Sequence, residues 1–189
     1  MTIWFKFLLA LVVVSALSVS AAEPTISAPS KKPQRIVSIN LCTDQLLLSL
    51  ADLDNVASVT WLALDPLNSV VADLAAEVTV INKGAAEEIL PLQPDLVLAG
   101  AYTTPFTIQM LRRFGFNVEV LDIPQNLSQV QKQILKVGEM LHETERAMKI
   151  VQSMNSVLDE IPPDSNRPLR TIVFQPGGFT VGPGSFEHE

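Results

Sequence analysis

The sequence predicts an α/β fold: an amino-terminal lobe built on a parallel sheet, a long bridging helix, and the truncated start of a second α/β lobe. Three observations carry this. Strand-like and helix-like segments alternate from Arg35 to Gln125 in the order that builds βαβ units. One of them, Leu96-Val97-Leu98-Ala99, is apolar at every position, the mark of a strand covered on both faces. A helical pattern then runs from residue 127 to 161, after which a new strand starts close to the end of the chain.

Residues 23–34 carry Pro24, Pro29 and Pro33 and read as an extended lead-in. Arg35 to Ile39 is the first strand, and Leu41 to Leu50 a helix with Leu46, Leu47 and Leu50 inward. Val56 to Thr60 is the second strand, ending at Trp61. Asp65-Pro66 offers an N-cap followed by a proline at the first helical position, which predicts a helix over Leu67 to Leu74. Val78 to Ile81 is a short strand, followed by a helix from Ala85 to Leu90 that Pro91 stops. Asp95 to Ala99 is the central strand, delivering Tyr102, Thr103 and Thr104 at its carboxyl end. Thr104-Pro105 starts the next helix, which Gly115 closes, and Val118 to Ile123 is a further strand.

Ser128 and Gln131 form a capping box for the helical stretch of residues 127–161. Val130, Ile134, Val137 and Leu141 recur at helical spacing, and a second phase runs from Ala147 to Ile161 beyond a break at Gly138 to Thr144. Unbroken, it would span about 50 Å, from the helical rise per residue. Pro162-Pro163 ends it, and Thr171 to Phe174 restarts the chain as a strand leading into a glycine-rich loop. The expected divisions are a signal at 1–22, the lead-in at 23–34, a lobe at 35–126, the bridge at 127–161 and an incomplete lobe at 168–189. One strand and a loop cannot bury a core of their own.

The segment 1–22 has the form of a cleaved export signal: Lys6, an apolar core from Phe7 to Leu17, and small residues from Ser18 to Ala22. The apolar core is shorter than a spanning helix requires. Cys42 is the only cysteine, so no disulfide forms within the chain, and no cysteine at the signal boundary accepts a lipid. The expected location is therefore the periplasm, as a soluble monomer rather than a lipoprotein. Without the signal, 12 basic residues face 20 acidic ones, a net charge of −8, and the scattered cations argue against nucleic acid as a partner.

Catalytic chemistry is not assembled. His142 and His188 are far from Cys42 in sequence and neither is placed to serve a nucleophile, so no catalytic residue is expected. The segment 177–184 lacks the Gly-Lys-Ser/Thr ending of a phosphate loop. One cysteine and two distant histidines do not make a zinc site, and no side-chain metal site is expected. The strand ends instead collect Asn40, Cys42 and Thr43, then Trp61 and Asp65, then Tyr102, Thr103 and Thr104, then Gln125. Aromatics among uncharged polar groups suit a sizeable, partly apolar ligand.

Four stretches in order, Arg-Ile-Val-Ser-Ile-Asn (35–40), Glu-Glu-Ile-Leu-Pro-Leu-Gln-Pro-Asp-Leu-Val-Leu-Ala (87–99), Leu-Arg-Arg-Phe-Gly-Phe-Asn-Val (111–118) and Val-Gly-Glu-Met-Leu (137–141), resemble the periplasmic binding proteins of ferric-siderophore, haem and cobalamin ABC importers. The resemblance covers Arg35 to Gly184. It implies two Rossmann-like lobes joined by one helix, with a metal chelate, cobalamin or a ferric siderophore, held between them and delivered to an inner-membrane permease, and no further cofactor. It also implies an acidic docking residue on the first lobe, at Glu87 or its neighbour Glu88. The strand ends lack the basic residues that suit an anionic siderophore, which favours a corrinoid or another large amphipathic chelate. A haem held by the Tyr102 phenolate, and an interaction module that docks through Glu87 without carrying ligand, are the alternatives. The resemblance leaves half of the cleft missing except for the loop around Gln175, Phe179 and Thr180, so the 189-residue polypeptide itself is expected to bind ligand poorly.

Overall fold

The computed structural model describes residues 31–161, 172–174, 177–178 and 180. The export signal, most of the lead-in, Pro162-Pro163, Gln175, Phe179 and most of the incomplete lobe expected at 168–189 lie outside the described residues.

Five strands form one parallel sheet: β1 (Ile36–Ser38), β2 (Val56–Thr60), β3 (Ile81–Asn82), β4 (Leu96–Gly100) and β5 (Val118–Leu121). Their spatial order is β3-β2-β1-β4-β5, and every neighbouring pair runs parallel. The chain winds outward from β1 to β3 and then crosses to the other side of β1 to add β4 and β5. The winding thus reverses between β1 and β4, where open α/β sheets form their ligand crevice.

Period-two alternation within the central strands supplies two separate apolar layers. Ile36, Leu96 and Leu98 face α1 (Leu41–Leu50), α5 (Leu127–Met140) and α6 (Thr144–Asp159) through Leu47, Leu50, Ile134, Val137 and Ala147. Val37, Val97 and Ala99 face the other way, packing with Ile89 of α3 (Ala86–Ile89) and Leu111 of α4 (Pro105–Arg113). Each fully buried leucine or isoleucine contributes about 1.5–3 kcal/mol from apolar burial.

Several local expectations change. The segment predicted as a helix over Leu67 to Leu74 is a turn, and α2 begins only at Ala72, spanning Ala72–Ala76. Asp65 accepts from Leu67 N (2.9 Å) and Asn68 Nδ2 (2.6 Å), so its carboxylate closes a turn instead of opening a helix. The third strand is Ile81–Asn82, later than the expected Val78 to Ile81, although Val78 is buried. The α-helical bonds of α3 do end just before Pro91, at Ile89, and a 3-10 turn, Leu90–Leu92, follows. The expected Ser128/Gln131 capping box is absent too. Asn126 caps α5 by accepting from Gln129 N (2.9 Å), and Gln129 returns an acceptor to Gln125 N (2.7 Å).

The bridge divides within the break expected at Gly138 to Thr144: α5 ends at Met140 and α6 starts at Thr144, so residues 127–161 form two helices. His142 takes the left-handed conformation (φ 58°), Glu143 N donates to Gly138 O (2.7 Å) and His142 N to Glu139 O (3.1 Å). Those two bonds close a Schellman motif with histidine where glycine is usual. The chain then folds back: Gln131 Nε2 reaches Asn155 Oδ1 (2.7 Å), and a Cβ at Gly138 would collide with the Cβ of Ala147. Only glycine permits that approach. The restart at Thr171 to Phe174 likewise forms no extended strand among the described residues; Phe174 makes a single antiparallel bridge with Thr180.

Ion pairs hold the amino-terminal edge of the sheet. Lys32 bridges Asp52 (3.0 Å) and Glu143, and Arg146 pairs with Asp52 (3.0 Å) while donating to Leu50 O and Ala51 O. Asp95 accepts from Gln34 N (2.7 Å) and Arg35 N (3.0 Å), fixing the entry into β1.

Candidate functional site

At the carboxyl end of β1 the chain turns directly into α1, and Asn40 makes the turn. Its side chain accepts from Cys42 N (3.0 Å), capping the helix. Gly100, the last residue of β4, lies against this cap: a Cβ there would sit 2.6 Å from Asn40 Cγ. A glycine is thus required for the two strand ends to meet at the crevice. Cys42 is exposed beside the cap. Thr43 departs from the expectation that it lines the face, because it is fully buried; its hydroxyl bonds Ser38 Oγ (2.7 Å) and Asn40 O (2.8 Å). It shapes the turn from beneath.

On either side of this turn stand two exposed aromatics. Trp61, directly after β2, is 53% exposed and opens a 3-10 turn, Trp61–Leu64. Tyr102, in the turn after β4, is 84% exposed. Since β1 separates β2 from β4, the sheet order sets the two rings on opposite sides of the Asn40 cap. Thr103 is occupied by its own turn, with Oγ1 accepting from Gly100 N (3.2 Å), and Thr104 Oγ1 caps α4 by accepting from Thr107 N. Gln125 is exposed beyond β5, at the far edge of the sheet.

Beneath this face lies a buried polar layer. Asp44, in the first turn of α1, accepts from Thr60 N (3.2 Å) and from the Thr60 hydroxyl. Burial pushes its carboxyl above the usual aspartate range, and hydrogen bonds from Ser38 and Thr60 offset part of that rise. Asn82 joins β3 to the layer, donating to Ser38 O (3.0 Å) and Ser58 Oγ (2.8 Å) and accepting from Gly84 N (2.9 Å). No buried side-chain nitrogen or oxygen among the described residues lacks a partner, so the layer is rigid rather than reactive.

Glu87 and Glu88 follow β3 in α3, both exposed. They differ in availability. Glu88 Oε2 accepts from Lys83 N (2.7 Å) and Ala85 N (3.4 Å), whereas Glu87 has no partner among the described residues. Of the two expected docking carboxylates, Glu87 alone is unengaged.

A family model described as periplasmic binding protein matches residues 36–184. The chain belongs to that family. A cobalamin-binding protein of Halobacterium salinarum is 26% identical over 175 residues, covering 87% of this chain and 46% of the relative. An uncharacterized ABC transporter substrate-binding lipoprotein of Bacillus subtilis is 28% identical over 134 residues, covering 69% of this chain and 41% of the relative. The solved structure of a periplasmic heme binding protein from Pseudomonas aeruginosa shares the fold at a TM-score of 0.56 and 21% identity, covering 67% of this chain and 45% of that one. The chain spans less than half the length of the curated relatives it matches.

The family and the named relative are binding proteins and not enzymes. No cluster of three or more metal-ligating side chains occurs among the described residues of this periplasmic binding protein, and no described helix is long and apolar enough to cross a membrane. Neither Trp61 nor Tyr102 lines the clefts described among these residues: one of about 340 Å³ lies between Leu121–Pro124 and α5, another along α4 beside the exposed Phe106 and Phe114, and another between the start of α5 and the end of α6. The face around Asn40 is an open wall. Sequence reasoning missed Asp44 and Asn82, and one signal was present: each is a polar residue at a position that the surrounding apolar pattern assigns to the interior.

Proposed function

We propose that this chain is the solute-binding component of an ABC importer, capturing a metal chelate at the carboxyl edge of the sheet and delivering it to an inner-membrane permease. The observation that carries the reading is the wall at the β1/β4 crevice: two exposed aromatics flanking a capped, uncharged turn, in a chain of the periplasmic binding protein family. Large ring faces stack on aromatics, and a few polar groups fix their orientation. The 26% identity to a cobalamin-binding protein supports a corrinoid among the chelates; against the expectation of strand ends without cations, the exposed Lys83 follows β3 directly. A ferric siderophore is the other chelate of this reading, with Gln175 and Phe179 contributed by the later loop.

Haem is the second reading. Tyr102 carries it, since an exposed phenol on a turn can reach iron as a phenolate, and haem-binding proteins share the fold. Glu87 supports the permease as partner through charge pairing with basic residues, which steers encounter more than it adds affinity. The segment 1–22 supports export to the periplasm by a cleaved signal, as a soluble monomer.

Titration of the protein with cyanocobalamin, hemin and a ferric hydroxamate siderophore, followed by equilibrium dialysis, tests the reading. Saturable binding of one chelate with discrimination against the others supports it. No saturable binding of any of the three contradicts it.

A further inference from the structure

The loop that carries Trp61 is held at both ends by two consecutive residues of α1. Asp44 grips Thr60, the residue immediately before Trp61, through the backbone amide (3.2 Å) and the hydroxyl. Gln45, the next residue, accepts from Val70 N with Oε1 (3.2 Å) at the loop's far end. Between the two grips the loop is shaped from within by Asp65. Its outer surface is apolar and bare: Leu67 is 92% exposed and Val70 91%, beside the half-exposed Trp61. Ala63 and Val71 anchor the inner side of the loop in the core, while its exposed aliphatics add no packing outside, so the two grips set how its outer side, with Trp61 at one end, sits on α1. The same helical turn begins at the Asn40 cap, which ties the loop to the β1/β4 crevice.

We propose that Asp44 and Gln45 are positioning residues that together set the Trp61 loop against the Asn40 cap and so fix the shape of the chelate-binding wall. Neither touches the chelate. The inference rests on the proposed ligand wall, but its first part, control of the loop, is measurable without any ligand. A preset wall binds without first ordering its loop, and so binds more tightly than a loose one.

The chain's two tryptophans are Trp4, inside the export signal, and Trp61, so protein expressed without the signal segment 1–22 reports on this loop alone. Gln45→Leu removes the acceptor at the partly exposed end, and Gln45→Glu restores one. The expected result is a higher acrylamide quenching constant and faster anisotropy decay for Trp61 in Gln45→Leu, with an unchanged melting temperature, and recovery of both in Gln45→Glu. Affinity for the bound chelate, measured with cyanocobalamin and hemin, falls about three- to tenfold in Gln45→Leu, the factor set by one lost hydrogen bond. Asp44→Asn, which keeps an acceptor for Thr60 N, preserves the Trp61 signature, while Asp44→Ala loses it. Trp61 behaviour that is identical in wild type and Gln45→Leu overturns the proposal. So does a loosened loop with unchanged chelate affinity. A wild-type protein that binds no chelate is a failure of the proposed function itself, and it is seen before any variant is compared.

Discussion

The two edges of the sheet are built from opposite kinds of polar contact. At the amino-terminal edge, Lys32, Asp52, Glu143 and Arg146 pair in or near solvent, tying the entry of the chain to the corner between α5 and α6. At the carboxyl edge the polar groups are buried beneath the surface, with Asp44, Thr43, Ser58 and Asn82 locked in neutral or single-charge contacts, and the surface above carries aromatics and aliphatics. Solvated ion pairs hold segments together with little gain in stability. Buried, fully satisfied networks are costlier to break and fix one geometry. A wall that must present rings in a set arrangement needs the second kind, and a closure between chain segments needs only the first.

The apolar seam between α5 and α6 sets the upper scale against which both edges are judged. Gly138→Leu, driven into Ala147, is expected to destabilise by about 3 kcal/mol or more through overpacking. Guanidinium unfolding measures it. Next comes the carboxyl edge: Asp44→Ala strands Thr60 N and opens a small void, at about 2 kcal/mol. Asp52→Ala at the opposite edge should cost less than Asp44→Ala, and its effect should fade in 1 M salt, where solvated charges are screened. An Asp52 effect larger than that of Asp44 would break the contrast.

The pH dependences should have opposite signs. Burial raises the carboxyl of Asp44, so its contribution is fully present below the unfolded aspartate pKa, about 3.9, and is lost as pH rises through the folded value. Lys32, followed by Arg146, lowers the carboxyl of Asp52, so its contribution is present above about 3.9 and is lost as pH falls through the folded value. Asp44→Asn should therefore gain relative stability at neutral pH over acid, and Asp52→Asn should lose it. Unfolding curves across the acid range decide this. The smallest effect belongs to Tyr102→Phe, which should leave stability within about 0.5 kcal/mol because the ring is exposed.

The sequence made the central strand legible because Leu96 to Ala99 is apolar on both faces, and the Thr104-Pro105 start and the Gly115 stop held because their local chemistry admits few other conformations. The break between Gly138 and Thr144 was legible from the change of helical phase, but its geometry was not: glycine is the usual residue at the left-handed position of a Schellman motif, and here His142 takes it while Gly138 admits the close approach of Ala147. Asp65-Pro66 misled in the other direction, since a cap residue closes a turn as readily as it opens a helix. That Trp61 and Tyr102 stand just beyond strand ends was legible from the sequence alone. The burial of Thr43 and the grip of Asp44 on Thr60 were not, because the first depends on how α1 sits over the ends of β1 and β4 and the second on how it meets the end of β2, tertiary facts with no local signature.

The most direct test of the ligand wall is the emission of Trp61 titrated with cyanocobalamin and with hemin, corrected for inner-filter absorption, in protein lacking the signal segment. The account predicts saturable quenching by one chelate, weakened about tenfold or more by Tyr102→Ala, the loss typical of a ring contact at a binding hot spot, and untouched by Asp52→Ala at the opposite edge. Quenching that Tyr102→Ala leaves unchanged, or that Asp52→Ala weakens equally, would contradict it.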